Sequence, residues 1–314
     1  MIARQQLILG LTLGAGAGAL WGLVFLAPAI LPEFGALQLT AGRFVAYGAL
    51  AAILLLPRWK ALTAKLERKH WWQLVWLALL ANTLYYALLA NAVKLGGMAM
   101  ASLIVGFVPV AVTIIGSRDH GAVRLKRLMP SLLFSVAGGA CIALETLGKS
   151  TDGGLQGQIV ALLCGIGALV TWTAFAVGNS RVLAGLKTVN SADWSLLIGV
   201  VTGIQGLLLV PVALLIEPSG QTAERWMTFA GVCLGLGVFA SICGYALWNK
   251  MSRILPLTMV GQMVLFETMF ALLYAFVWEQ RLPSSYECAA MALLLASVMT
   301  CIAVHKPARV TAET

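Results

Sequence analysis

Charged side chains are scarce: they make up 11% of the 314 residues, against roughly 25% in an ordinary soluble domain. That deficit, with 60% apolar residues and a mean hydropathy of +0.91, excludes a soluble globular chain and points to an integral membrane protein. Histidine is rarer still, at three residues. His70, His120 and His305 all fall in loops or at the ends of apolar runs, which excludes a histidine proton relay across the membrane. The six cysteines, Cys141, Cys164, Cys233, Cys243, Cys288 and Cys301, lie within apolar runs and never as CxxC pairs, so neither a disulfide framework nor a zinc site is expected. There is no P-loop, and no segment between apolar runs exceeds about a dozen residues, too few to bury a core of their own. ATP hydrolysis by this chain is thereby excluded, and no cofactor or metal is expected.

Long apolar runs are what the sequence does have. Eight stretches lack Asp, Glu, Lys and Arg altogether: 5–32, 70–93, 95–117, 128–144, 153–180, 194–216, 226–249 and 288–305. Six exceed the roughly 20 residues that cross a bilayer, 288–305 comes close to it, and 128–144 reaches that length when extended past Glu145 to Leu147. Two further runs carry one embedded charge each, Arg43 in 35–56 and Glu267 in 254–278. The expectation is an all-α membrane protein of ten spans, near 7–30, 35–56, 71–93, 97–116, 128–147, 157–180, 193–216, 226–249, 254–278 and 285–304. The first run is too long for the ~7–15-residue core of a cleaved signal peptide and reads as a retained span.

The net charge of +9 is sorted by side rather than gathered for nucleic acid. With the N-terminus in the cytoplasm, sixteen of the 21 basic residues fall on the inner side, from Arg4, Arg58 and Lys60 through to Lys306 and Arg309. Only Lys94, Lys149, Arg225 and Arg281 fall outside, so the positive-inside rule places both termini in the cytoplasm of a multi-pass inner (plasma) membrane protein. The basic loops 57–70 and 117–127 suit anionic lipid headgroups of the bilayer.

One unit is written twice. Residues 86–97 begin Tyr-Ala-Leu, as do residues 245–256 at an offset of 159, and Lys94 is answered by Arg253. In the first span of each half, Gly14, Gly16, Ala17 and Trp21 match Gly165, Gly167, Ala168 and Trp172, and residues 50–57 weakly match 204–211. The seam is the polar stretch Gly148 to Gly157, giving units 1–150 and 151–314. Five spans is an odd number, so the second copy is inverted relative to the first, as in many secondary transporters.

Ten spans as five plus five, a Trp in the first span of each half, and Glu279-Gln-Arg-Leu-Pro283 closing the ninth span resemble the drug/metabolite transporter superfamily, and within it the EamA-type carriers. Pro109, in the fourth span, is in keeping with the family. The first half departs from the Glu-Arg-Leu turn, reading Ser117-Arg-Asp-His-Gly, and the ninth span has Phe266-Glu267-Thr268 where a proline is usual. The resemblance implies a central cavity formed by spans 1, 3, 4, 6, 8 and 9, alternating access by the two halves, and export of amino acids, drugs or other metabolites. Aromatic amino acid exporters form one branch.

The residues themselves point to a cavity. Asn82, Tyr85 and Tyr86 form one stripe on the third span, and Ser241, Tyr245, Trp248 and Asn249 form another on the eighth. Amides facing lipid would leave donors and acceptors unpaired at a cost of about 1–3 kcal/mol each, so these faces are expected to meet protein or a wet cavity. Trp21, Tyr86, Trp172 and Tyr245 offer apolar area and polarised ring faces to a flat or cationic substrate. Trp71, Trp72, Trp226 and Trp278 read instead as an interfacial belt. Gly14 with Gly18, and Gly231 with Gly235, form GxxxG pairs suited to close helix packing. Arg43 and Glu267 are expected inside the bundle, and a carboxylate at mid-membrane can hold a substrate ammonium or carry a proton. Gln262 and Thr268 share its span and are candidates for the same site.

The sequence therefore predicts a secondary transporter, an exporter of a small organic metabolite such as an amino acid or amphipathic drug-like compound. The candidate substrate residues are Trp21, Asn82, Tyr86, Trp172, Tyr245, Trp248, Asn249, Gln262 and Glu267, with Arg43 and Glu267 as the buried charges. An uptake carrier of the same fold remains an alternative. So does an intramembrane enzyme acting on a lipid or prenyl substrate, although the chain offers only isolated membrane charges for such chemistry. A channel is less well served, since no filter-like segment stands out.

Overall fold

The computed structural model describes residues 4–119, 122–146, 154–217 and 220–305. The expected seam at 150/151, and His120, Lys149, Lys306 and Arg309, lie outside them, as do the side chains of Lys94, Glu145 and Glu279. Among the described residues all regular structure is helical. The long helices are α1 (Arg4–Gly22), α2 (Ala36–Leu55), α3 (Arg68–Ala78), α4 (Leu84–Val105), α5 (Val108–Gly116), α6 (Leu125–Thr146), α7 (Gly154–Gly185), α8 (Ser191–Ile216), α9 (Ala223–Leu236), α10 (Gly244–Ile254), α11 (Leu257–Glu279) and α12 (Ser285–His305). Eight helical stretches among these residues are long and apolar enough to cross a membrane. Helices α5 and α6 stand where the fourth and fifth spans were expected.

The third span departs from expectation. The turn expected at 94–96 is absent, and α4 stays helical to Val105 before the chain turns at Gly106 and Phe107. Proline lacks an N–H and restricts the residue before it, so the break falls just ahead of Pro109 rather than at the charge of Lys94.

Helix pairing repeats between the halves. Helix α1 packs on α10 and α11, and its counterpart α7 packs on α4 and α5. Three further pairs join counterparts directly: α2 with α8, α5 with α11, and α6 with α12. Each of the three is antiparallel. Gly48 meets Gly203 while Gly206 meets Phe44; Gly116 meets Thr258 while Gly261 meets Pro109 and Val112; Gly138 meets Leu294 and Ala290 while Ser131 bonds to Ser297. A two-fold axis in the membrane plane pairs counterparts antiparallel, whereas an axis along the normal would pair them parallel. The antiparallel pairing of counterparts is the arrangement that the first kind of axis produces.

Glycine sets how closely α1 and α11 approach. Gly14, Gly18 and Gly22 lie against Met263, the Phe266–Glu267 backbone and Ala271 in turn, and Gly10 faces Leu255 at the foot of the same stripe. Apolar chains gain little from meeting each other in lipid, so such backbone proximity supplies much of the association. Gly231 and Gly235 differ from expectation: the space where their side chains would stand is open. They set no close helix crossing among the described residues: Gly231 is exposed, and Gly235 lines an open apolar groove with Leu23, Leu26, Ala27 and Ile30.

The π-helical turns Leu79–Thr83 and Gly237–Cys243 interrupt the third and eighth spans at equivalent places. A π turn locally widens a helix and often marks a functional site. These two carry Asn82 and Ser241, which are equivalent at the offset of 159.

Contacts between the halves tie the bundle together towards both ends. At one end Glu217 accepts from the backbone N–H groups of Leu37 and Gln38 at the start of α2, at 3.0 and 3.1 Å, where a helix N-terminus favours a carboxylate. Beside it Arg225 pairs with Glu33, and Phe34 packs on Trp226 and Phe229. At the other end Arg58 pairs with Asp193 at 2.8 Å.

Candidate substrate cavity

Between the halves lies a narrow cavity lined by Trp21, Val24, Arg43, Ala81, Asn82, Tyr85, Tyr86, Trp172, Tyr245 and Glu267. Helices α1, α2, α4, α7, α10 and α11, the first π turn, and the short 3-10 turn Leu23–Leu26 that follows α1 supply them. It leaves about 30 Å³ for the centres of water-sized molecules, which is room for roughly two or three waters. A metabolite enters only when the walls part.

The walls are aromatic and interlocked. Trp21 meets Trp172 edge-on with centroids 6.4 Å apart and Tyr245 at 5.5 Å. Tyr85 and Tyr86 meet at 5.3 Å, and Phe44 backs Tyr86 at 5.6 Å. Hydrogen bonds fix the ring positions. The Trp21 indole donates to the Ala240 carbonyl in the second π turn at 2.9 Å. The Tyr245 hydroxyl donates to Asn82 Oδ1 at 2.8 Å, and Asn82 Nδ2 donates to Thr202 at 3.0 Å.

Both embedded charges face this space. Arg43 is 5% exposed; its Nη1 donates to the Tyr86 hydroxyl at 2.7 Å and its Nε to Ser241 Oγ at 3.1 Å. The guanidinium also lies 5.5 Å from the Tyr86 ring centre and 5.6 Å from that of Phe44, within cation–π range. Glu267 stands on the opposite half and has neither a salt bridge nor a hydrogen bond among the described residues. The two charges share one cavity without pairing.

Of the residues singled out from sequence, Trp21, Arg43, Asn82, Tyr86, Trp172, Tyr245 and Glu267 are brought together here. Trp248, Asn249 and Gln262 are placed elsewhere. Trp248 packs behind the wall, 5.0 Å from Trp21 and 5.6 Å from Trp172. Asn249 is fully buried and joins α7, α8 and α10: Asn179 donates to it at 2.6 Å, and it donates to Ser195 at 2.8 Å. Gln262 ties α11 to its outer neighbours, accepting from Ser297 at 2.9 Å and donating to Thr113 at 3.4 Å. It lies five residues from Glu267, about 140° round the helix, so sharing a span does not mean sharing a face. Tyr85, Val24 and Ala81 are cavity residues that the candidate set lacked; Tyr85 was visible in the stripe with Asn82 and Tyr86, whereas the two aliphatic residues carry no sequence signal.

The Glu-Gln-Arg-Leu turn also has a structural role. Gln280 adopts a left-handed conformation with φ 52° that ends α11. Arg281 then makes two 2.7 Å bonds to Glu287 at the start of α12.

A duplicated bundle with an aromatic, doubly charged cavity between its halves is what a family profile now explains. The profile of the EamA-like transporter family matches residues 8–142 and again 159–302. The chain belongs to the EamA-like transporter family. Membership makes it a membrane transporter and sets the intramembrane-enzyme alternative aside. The chain is 26% identical over 304 residues to the inner membrane protein YtfF of Escherichia coli (strain K12), covering 91% of this chain and 92% of that one. A crystal structure at 18% identity superposes with a TM-score of 0.74, covering 94% of this chain and 96% of the other, which establishes the fold alone.

Proposed function

We propose that this EamA-like transporter is a secondary carrier that exports a small amphipathic metabolite with an amino group, such as an amino acid, across the inner membrane by alternating access. The observation that carries this reading is Glu267: a carboxylate with neither a salt bridge nor a hydrogen bond among the described residues, on the wall of an aromatic cavity between the two halves. A substrate ammonium satisfies that carboxylate, and the rings of Trp21, Tyr85 and Trp172 accept its cationic and apolar parts. Export agrees with the carriers that the sequence resembles. The inner-membrane location agrees with the relative from Escherichia coli, and the excess of basic residues in inner loops supports cytoplasmic termini.

The test is counterflow in proteoliposomes with labelled amines and amino acids. Glu267→Gln is expected to lower exchange of amino-bearing compounds at least tenfold; undiminished exchange sinks the assignment. Topology is checked by single cysteines at Ala61 and Ala122 in a background without the native six. Labelling of either from outside intact cells overturns the orientation.

A further inference from the structure

We propose that Arg43 and Tyr86 form an anion subsite that receives a carboxylate of the transported molecule, so that the substrate is a zwitterion held between Arg43 and Glu267. The inference rests on the carrier reading above and adds a second recognition group to it. A guanidinium in a membrane interior is expensive unless paired, yet Arg43 is 5% exposed and makes no ion pair among the described residues.

Its hydrogen bonds are incomplete as well. A guanidinium has five N–H donors, and the structure gives partners to two of them, Nη1 on Tyr86 and Nε on Ser241. Nothing among the described residues engages Nη2, so the Nη1/Nη2 edge remains for the two-pronged contact that suits a carboxylate.

Tyr86 adds a third donor by a simple count. Its oxygen accepts from Arg43, so its own proton points away from the guanidinium, and no described residue accepts it. Its counterpart Tyr245 behaves differently, donating its proton to Asn82. Equivalent tyrosines thus serve different ends: one is tied down, and the other offers a donor beside a fixed positive charge.

The two charges break the repeat symmetry in complementary ways. The offset of 154 sets Arg43 against Leu197, and the offset of 159 sets Glu267 against Val108. A cation from one half and an anion from the other therefore face a single space, a fit for a molecule with both charges.

The test uses purified full-length protein in nanodiscs with three probes that share a ring: phenylalanine, phenethylamine and 3-phenylpropionate. Binding is read by quenching of intrinsic tryptophan fluorescence and exchange by counterflow. Tyr86→Phe and Arg43→Gln are expected to weaken both carboxylates at least tenfold without a comparable weakening of phenethylamine. Tyr86→Phe keeps the ring, so it carries the test even if Arg43→Gln does not fold. The proposal falls if the wild type binds neither carboxylate, if the variants bind them as the wild type does, or if phenethylamine is weakened equally. Carboxylate binding lost in the variants, with no exchange of any probe, supports the subsite while overturning the carrier reading. Exchange of phenethylamine alone overturns the subsite and keeps the carrier.

Discussion

A methyl group on Gly18 would stand 2.7 Å from the backbone nitrogen of Glu267. The obstacle is main chain, which cannot swing aside as a side-chain tip can. Gly18→Ala is therefore expected to push α11 outward and carry the Glu267 carboxylate with it. Overpacking of this kind costs about 1–3 kcal/mol, read as a lower melting temperature together with weakened substrate exchange. Gly231→Ala is the matched control: its site is open, and replacing an interior helix glycine there should add about 0.5–1 kcal/mol of stability.

The crossing of α2 and α8 is tighter still, with the side-chain position of Gly48 only 2.3 Å from Gly203 Cα. Gly48→Ala and Gly203→Ala should each lower the melting temperature. In the double variant the loss should differ from the sum of the singles, since the two changes crowd one spot. Strict additivity would show that the backbones do not meet there.

How much of this was legible in the sequence depends on which coordinate is asked about. Periodicity gives angle round a helix, so the stripes of Asn82, Tyr85 and Tyr86 and of Tyr245, Trp248 and Asn249 do turn inward. It does not give depth along the axis. The cavity ends one turn before Trp248 and Asn249, where α7 and α8 close over α10 through Asn179 and Ser195. The π turns were also hidden, since composition alone does not reveal an extra residue in a helical turn. The embedded charges were legible because lipid tolerates neither, and both line the cavity.

Asn249 and Tyr86 should consequently fail in different ways. Asn249→Ala leaves Asn179 and Ser195 short of a partner inside the bundle, a loss of about 1–3 kcal/mol. Melting should drop while the folded fraction keeps its substrate affinity. An affinity change without a melting change would place Asn249 in substrate binding instead.

Two tryptophans allow a similar contrast. Trp21 donates to Ala240, whereas the Trp248 indole N–H is buried with no acceptor among the described residues. Trp248→Phe keeps an apolar ring and removes an unsatisfied donor, so little stability should be lost. Trp21→Phe should cost more, by about 0.5–1.5 kcal/mol for the missing bond. Equal melting temperatures would contradict this ordering.

Gln280 gives a prediction in the opposite direction. Left-handed backbone costs a residue with a Cβ about 1–2 kcal/mol, a penalty glycine does not bear. Gln280→Gly should raise the melting temperature and Gln280→Val lower it, with transport little altered in either.

The positions that set Arg43 against Leu197 and Glu267 against Val108 also bear on how a duplicated chain can diverge. Two copies of the first half would bring two guanidinium groups and no carboxylate to the shared cavity, and two copies of the second half would bring the reverse. Like charges so close in a space for a few waters repel strongly. The halves are no longer interchangeable, so a dimer of either half alone is not a working ancestor of this carrier unless its single charge is first reverted to an aliphatic residue.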